Sequence, residues 1–372
     1  MGKSIQLGRI FGIPFRLDYS WFLIFIFITL LLSLSVFPSG YPDWSPASYW
    51  VVGIATSLLF FSSVLAHELA HCLVGRRMGI PAKSITLFFF GGIAHIGKEA
   101  SRPTAELKMA IAGPLCSLAL AGIFYGISWL CSGFSEHLAA LTGWLYLING
   151  ILAVFNMIPG FPLDGGRVLR SIIWLVTGNY LRASRIATIA GYGVSYIFIL
   201  GGILLLLLLG RLDGLWFIFL GFFLNSTTRT TYRQATLRDS LKRFTAQDVM
   251  TKDFPHIPRH ITIRELVNGP LLTSSSQCYL VADGDRLAGL LTVQQVKGVP
   301  RDYWDLTTTG QAMTPVEKMQ IVQPSDDALR LLERMDEENL ELVAVVRESR
   351  IMGIILRDNL VRFSQRLREF KT

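Results

Sequence analysis

Residues Trp44 to Ala66 form an uncharged, mostly apolar run, WSPASYWVVGIATSLLFFSSVLA, which leads directly into His67-Glu68-Leu69-Ala70-His71. A run of this length crosses a bilayer as a helix. Continued through the next five residues, that helix sets His67 and His71 about 40° apart around its axis. Both imidazoles can then face one metal ion, with Glu68 beside them to take a proton from water. Short motifs match by chance, but two imidazoles and a carboxylate at the end of a membrane-spanning run are costly in lipid and mark a functional site. The run is therefore read as a membrane helix that carries part of a metal site.

Further uncharged runs lie at Tyr19 to Pro42, Met109 to Ser135, His137 to Leu163, Ile186 to Gly210 and, shorter, Gly214 to Thr228, so six spans are expected. Loops on one side hold Arg76, Arg77, Lys83, Lys98, Arg102 and Lys108, then Arg167, Arg170, Arg182 and Arg185, whereas those on the other hold only Arg211. Basic loops stay inside, which predicts a multi-pass protein of the cell (plasma) membrane with both termini cytosolic. Lys3, Arg9 and Arg16 precede the first run, but it continues well past a signal-peptide core without a cleavage site and reads as a retained span. Ser171 to Leu181 is too short to span and is expected to lie as a helix at the inner interface. The segment Ile85 to Gly97 is also too short and is broken by Gly91-Gly92. A membrane-embedded β-hairpin or re-entrant loop lining a cavity fits it better.

The composition divides the same way. Hydrophobic residues make up 51% of the 372 residues and charged ones 17%, with a mean hydropathy of +0.44, and the apolar excess ends near Ser240. The net charge of +8 raises the question of a nucleic-acid partner. Up to Ser240 there are 17 basic residues against 9 acidic, and from Leu241 there are 18 against 18, so the whole excess sits where it can fix topology, and no nucleic-acid face is expected. Cys72, Cys116, Cys131 and Cys278 show no paired spacing and read as free thiols.

A catalytic zinc site usually has three protein ligands, and Asp164 is the best third candidate. It follows Asn156-Met157-Ile158-Pro159-Gly160-Phe161-Pro162-Leu163 at the end of the fourth span. Spans two and four run in the same direction, which brings Asp164 to the same inner surface as His67 and His71. Pro159, Gly160 and Pro162 should break the helix there, and unpaired backbone is tolerated only around a polar cavity. The blander reading makes Asp164 the N-cap of the next helix. Among the other candidates, His95 reads as a hydrogen-bonded structural residue, Cys72 as a small buried one, His137, His256 and His260 as exposed loop residues, and Gly113-Pro114 as a helix-packing element.

Taken together, His67-Glu68-Leu69-Ala70-His71, Gly91-Gly92-Ile93-Ala94, Ala112-Gly113-Pro114 and the Asn156 to Gly166 stretch resemble the site-2 protease family of intramembrane metalloproteases (peptidase family M50). The resemblance covers nearly all of residues 1–240. It implies one zinc per chain held by His67, His71 and Asp164, Glu68 as general base, and Asn156 near the substrate or the developing oxyanion. It also implies a membrane-protein substrate cut in or near a transmembrane helix, with the Gly91-Gly92 strand offering its edge to the extended substrate.

The soluble tail contains a repeat. Asp248-Val249-Met250-Thr251 recurs as Gln311-Ala312-Met313-Thr314, Cys278 to Ala282 as Leu342 to Val346, and Gly289-Leu290-Leu291 as Gly353-Ile354-Ile355. It resembles a tandem pair of CBS modules. The expected organisation is a transmembrane metalloprotease domain at 1–235 with CBS modules at 245–300 and 310–366. The fold class is thus a polytopic α-helical membrane protein followed by a soluble α/β pair, the pair acting as a regulatory or homodimerising unit. The Gly-x-x-Thr-x-x-Asp pattern of nucleotide-binding members is degraded here. Gln295 stands for its Asp in the first copy, and Leu356 and Asn359 replace Thr and Asp in the second, so adenine nucleotide should bind weakly at most. A CBS-gated transporter or channel with a structural metal site is the competing reading, and it leaves His67, Glu68, His71 and Asp164 together unexplained. A di-iron oxidase would need more than the six histidines present.

Overall fold

The computed structural model describes residues 4–96, 100–252, 255–273, 278–283, 286–338, 340–347, 350–360 and 362–363. Lys3, Gly97, Lys98 and the last residues of the expected second module, 364–366, lie outside them. The chain divides into two compact units, Met1–Thr236 and Leu237–Thr372.

The first unit opens with a hairpin, β1 (Ser4–Ile10) and β2 (Ile13–Asp18), which turns at Phe11-Gly12 with Gly12 at φ +84°. Asp18 then caps α1 (Tyr19–Gly40), its Oδ1 accepting from the backbone N–H of Ser20 at 2.9 Å. Next comes α2 (Pro46–Arg77), which starts at an N-cap Ser45 with Pro46 in the first turn, where its missing N–H costs nothing. Strands β3 (Ala82–Phe88) and β4 (Gly91–Ile96) follow and complete one sheet in the order β1-β2-β3-β4. Strands β2 and β3 are parallel, with Phe15 opposite Ile85 and Leu17 opposite Leu87, so α1 and α2 together form the crossover between them. Strands β3 and β4 are antiparallel, with Ile85 opposite Ala94 and Leu87 opposite Gly92, and β4 is an edge.

Four long helices and one short one follow: α3 (Pro103–Cys131), α4 (Glu136–Asn156), α5 (Asp164–Thr177), α6 (Tyr180–Leu209) and α7 (Gly214–Leu241), the last running past the end of the first unit at Thr236. Among the described residues, five helices, α1, α2, α3, α4 and α6, are long and apolar enough to cross a membrane. Gly214 to Thr228, expected as a sixth span, forms the first half of α7, whose second half is polar. The run His137 to Leu163 is helical only to Asn156, where the prolines and Gly160 stop it. Outward-facing apolar side chains are abundant: Trp129 is 71% exposed, Val154 72% and Leu207 74%. Water would penalise such a surface, whereas lipid tails are as apolar as the side chains themselves. Between α1 and α2, small and polar contacts accompany a buried apolar cluster that includes Leu32, Phe37, Val52 and Leu145. Thr29 donates to Ser57 at 2.9 Å, and a Cβ on Gly53 would collide with Ser33.

The second unit shows the repeat in its hydrogen bonding. Its strands are β5 (His256–Pro258), β6 (Cys278–Asp283), β7 (Arg286–Thr292), β8 (Thr314–Pro315), β9 (Ile321–Val322), β10 (Leu342–Arg347) and β11 (Arg350–Leu356). They form two sheets, β5-β6-β7-β8 and β11-β10-β9. Cys278 pairs with Thr292 and Val281 with Gly289, just as Leu342 pairs with Leu356 and Val345 with Gly353, and both ladders slip at the same place. The leading segments are exchanged. Thr251 pairs with Ile354, and Leu241, Ala246 and Val249 lie in one core with Val322, Val343 and Ile355. Conversely, the Thr309 N–H donates to Ile261, and Ala312 and Met313 pack with Ile257, Tyr279 and Leu291. Cys278 sits in the layer between the sheets with Leu290, Ala344 and Ile354, and burial pushes its thiol up to about 12, which makes it inert.

Candidate metal centre

His67 and His71 lie one turn apart near the end of α2 and are only 3% and 5% exposed. Asp164 reaches them from the far side of the irregular stretch after α4. It is the first residue of α5, and Leu163 holds the N-cap position, so the carboxylate is directed at the histidines rather than acting as an N-cap. Its Oδ2 lies 3.1 Å from His67 Nε2 and 3.0 Å from His71 Nε2, and the two Nε2 atoms are 3.2 Å apart. Glycine permits the turn. A Cβ on Gly165 would strike the carbonyls of Met157 and Ile158, and one on Gly166 the backbone of Gly160 and Phe161.

The other ring nitrogens decide what the three atoms can hold. His71 Nδ1 lies 2.7 Å from the Met109 carbonyl, which can only accept, so Nδ1 carries the proton and the Nε2 of the neutral ring presents a lone pair. His67 Nδ1 lies 2.8 Å from Ser117 Oγ, which can accept in the same way. Two lone pairs and a carboxylate oxygen then converge on one point, an arrangement that repels itself unless a cation occupies it. A tetrahedral zinc with donors about 2.0–2.1 Å away would space them roughly 3.3 Å apart, close to the separations found. Gly113 keeps the space open, since a Cβ there would stand 2.6 Å from His67 Nε2 and nearer still to His71 Nε2. Among the described residues this is the one cluster of three or more such side chains able to hold a metal ion, and its donor set fits zinc.

All five residues singled out from the sequence border one cavity of about 550 Å³: His67, Glu68, His71, Asn156 and Asp164. Glu68 makes no direct hydrogen bond among the described residues, and Gly92 closes over it, a Cβ there falling 3.0 Å from Glu68 Cδ. Asn156 ends α4 and donates one amide hydrogen to the Leu152 carbonyl at 3.0 Å. Gly91, Gly92, Ile93 and Ala94 of β4 form a cavity wall, whereas His95 does not border it. Cys72 is 3% exposed, packed with Ile13 and Ile85 at the wall, and all four cysteines are free thiols. Sequence reasoning missed Met109 and Ser117, and it credited Gly113 with packing alone. A backbone carbonyl leaves no mark on residue type, but Gly113 and Ser117, four apart, were readable as one helix face. It also missed the α7 side of the cavity, where Trp216, Leu220, Thr227 and Thr231 lie and where Phe223 stacks on Phe90 at 3.8 Å.

The chain is similar to known zinc metalloproteases. Residues 55–140 and 134–201 match the model of peptidase family M50. A candidate zinc metalloprotease of Synechocystis sp., sll0528, is 35% identical over 370 residues, covering 98% of this chain and 96% of its own. Among solved structures, the site-2 protease from Methanocaldococcus jannaschii is 28% identical and covers 62% of this chain and 95% of its own, with a TM-score of 0.43. The CBS domain of a bacterial CNNM/CorC family Mg2+ transporter covers 35% of this chain and 82% of its own at 15% identity and a TM-score of 0.30.

Proposed function

This chain belongs to peptidase family M50, the family of the site-2 proteases, and on that premise we propose that it hydrolyses peptide bonds in or near the transmembrane segments of membrane-protein substrates, as an enzyme of regulated intramembrane proteolysis. The observation that carries this reading is the convergence of His67 Nε2, His71 Nε2 and Asp164 Oδ2 beside an uncommitted Glu68. These three residues would hold one zinc. Bound there, zinc would acidify water and polarise a carbonyl. Glu68 accepts the proton of the attacking water and returns it to the leaving amine. Asn156 has an amide hydrogen left after its bond to Leu152, and it donates this to the substrate or the developing oxyanion. A transmembrane helix buries its own carbonyls in hydrogen bonds, so the substrate unwinds and pairs with the free edge of β4.

In this reading six spans cross the plasma membrane, β3 and β4 are embedded in it, and the basic loops and both termini face the cytosol. The tail is a CBS pair that regulates or dimerises the enzyme. The test compares membrane proteomes of cells carrying the wild type and Glu68→Gln. The variant should retain zinc yet leave substrates intact, and fragments with new termini on the cytosolic side should appear with the wild type alone. Wild-type cleavage by Glu68→Gln would remove Glu68 from the chemistry.

A further inference from the structure

The three donors are set by one stripe of α3. Met109 and Ser117 hold the two imidazoles, Gly113 leaves the space between them, and Glu106, one turn before Met109, lies on the same face at the spacing 3, 4, 4. Glu106 is 2% exposed, and its Oε1 accepts from both Nε and Nη2 of Arg170, with Nε 2.8 Å away. Arg170 stands six residues after Asp164 on α5 and is 7% exposed. Its guanidinium lies 4.9 Å from the ring centres of both Phe161 and Tyr180 and donates to the Tyr180 hydroxyl at 2.9 Å. Phe161 belongs to the stretch that delivers Asp164, and its carbonyl is held by Thr228 at 2.6 Å. Arg170 thus clamps α5 to α3, to the preceding stretch and to the start of α6.

We propose that Glu106 and Arg170 are positioning residues for Asp164: the buried pair fixes the α5 start against the α3 face that orients the histidines, so the metal affinity of the site depends on a carboxylate that does not touch the metal. The inference rests on the reading of His67, His71 and Asp164 as ligands. Buried ions of opposite charge are poor sources of net stability, since desolvation offsets their attraction, so a geometric role accounts better for this pair than a stabilising one. Groups that orient metal ligands typically govern 10- to 100-fold in affinity.

The test uses the full-length protein in detergent. Zinc affinity is measured by chelator competition and ligand geometry by the visible spectrum of the cobalt(II) form, for the wild type, Glu106→Gln, Tyr180→Phe and Asp164→Ala. Glu106→Gln should weaken zinc about 10- to 100-fold and alter the cobalt bands. A lower melting temperature with unchanged affinity and unchanged bands would make the pair merely structural and overturn the proposal. Should Glu106→Gln fail to fold, Tyr180→Phe keeps both charges and removes one hydrogen bond to Arg170. A several-fold loss of affinity there supports the proposal, and wild-type affinity refutes it. Asp164→Ala separates the premises: if it binds zinc like the wild type, the ligand reading itself fails, whatever Glu106 does.

Discussion

Gly113 concentrates the chemistry of the site in a missing side chain. Two imidazoles approach within 3.2 Å only because the facing helix presents no Cβ between them. Gly113→Ala therefore tests occupancy apart from folding. Alanine is the better helix former by about 1 kcal/mol, so the backbone has no reason to object. Its methyl would stand where the donors converge. Zinc content should fall at least about tenfold while the helical circular-dichroism signal is unchanged. Stoichiometric zinc in the folded variant would show that the space in front of Gly113 is not the metal site.

Elements differed in how readily they could be read. The long helices were visible because twenty or so apolar residues leave few alternatives, and the α4 break was visible because Pro159, Gly160 and Pro162 cannot continue a helix. The β1–β2 hairpin was not. Its partner for the parallel pairing lies about 70 residues away in β3, and Ser4–Ile10 is exposed along nearly its whole length, so no inward stripe marks it as a strand. In the tail, the repeat was legible from Cys278 and Leu342 onward, but the exchange of leading segments was not, because both copies carry the same Met-Thr pair and either could pack on either glycine. The strand-to-helix caps sharpen the expectation for nucleotide. The Gln295 side chain accepts from the N–H and hydroxyl of Thr292 and donates to Thr314, and Asn359 donates to Thr251. The resemblance to CBS modules implies a carboxylate at these two positions in nucleotide-binding members, and here the amides standing there are already engaged by their own fold. Calorimetry on the full chain should give no ATP or AMP affinity tighter than micromolar, and sub-micromolar binding would refute this.

On the scale of the whole molecule, a helical unit dressed in lipid-compatible side chains holds a largely apolar cavity with one polar cluster on its wall, and a second unit is built from two copies of one α/β element. That His67, Glu68, His71 and Asp164 share one cavity was legible in the sequence, since such groups are costly in an apolar helix bundle unless they are gathered at a site. What holds the site did not follow. A carbonyl at Met109, a hydroxyl at Ser117 and the Glu106–Arg170 pair become meaningful only when α3 lies across both α2 and α5. X-ray absorption at the zinc edge of the purified full-length protein, together with zinc analysis of Asp164→Ala, is the most direct measurement. One zinc per chain with imidazole nitrogen and carboxylate oxygen at about 2.0–2.2 Å, and its loss in Asp164→Ala, is the predicted result. A sulfur neighbour at about 2.3 Å, or full zinc occupancy in Asp164→Ala, would contradict it.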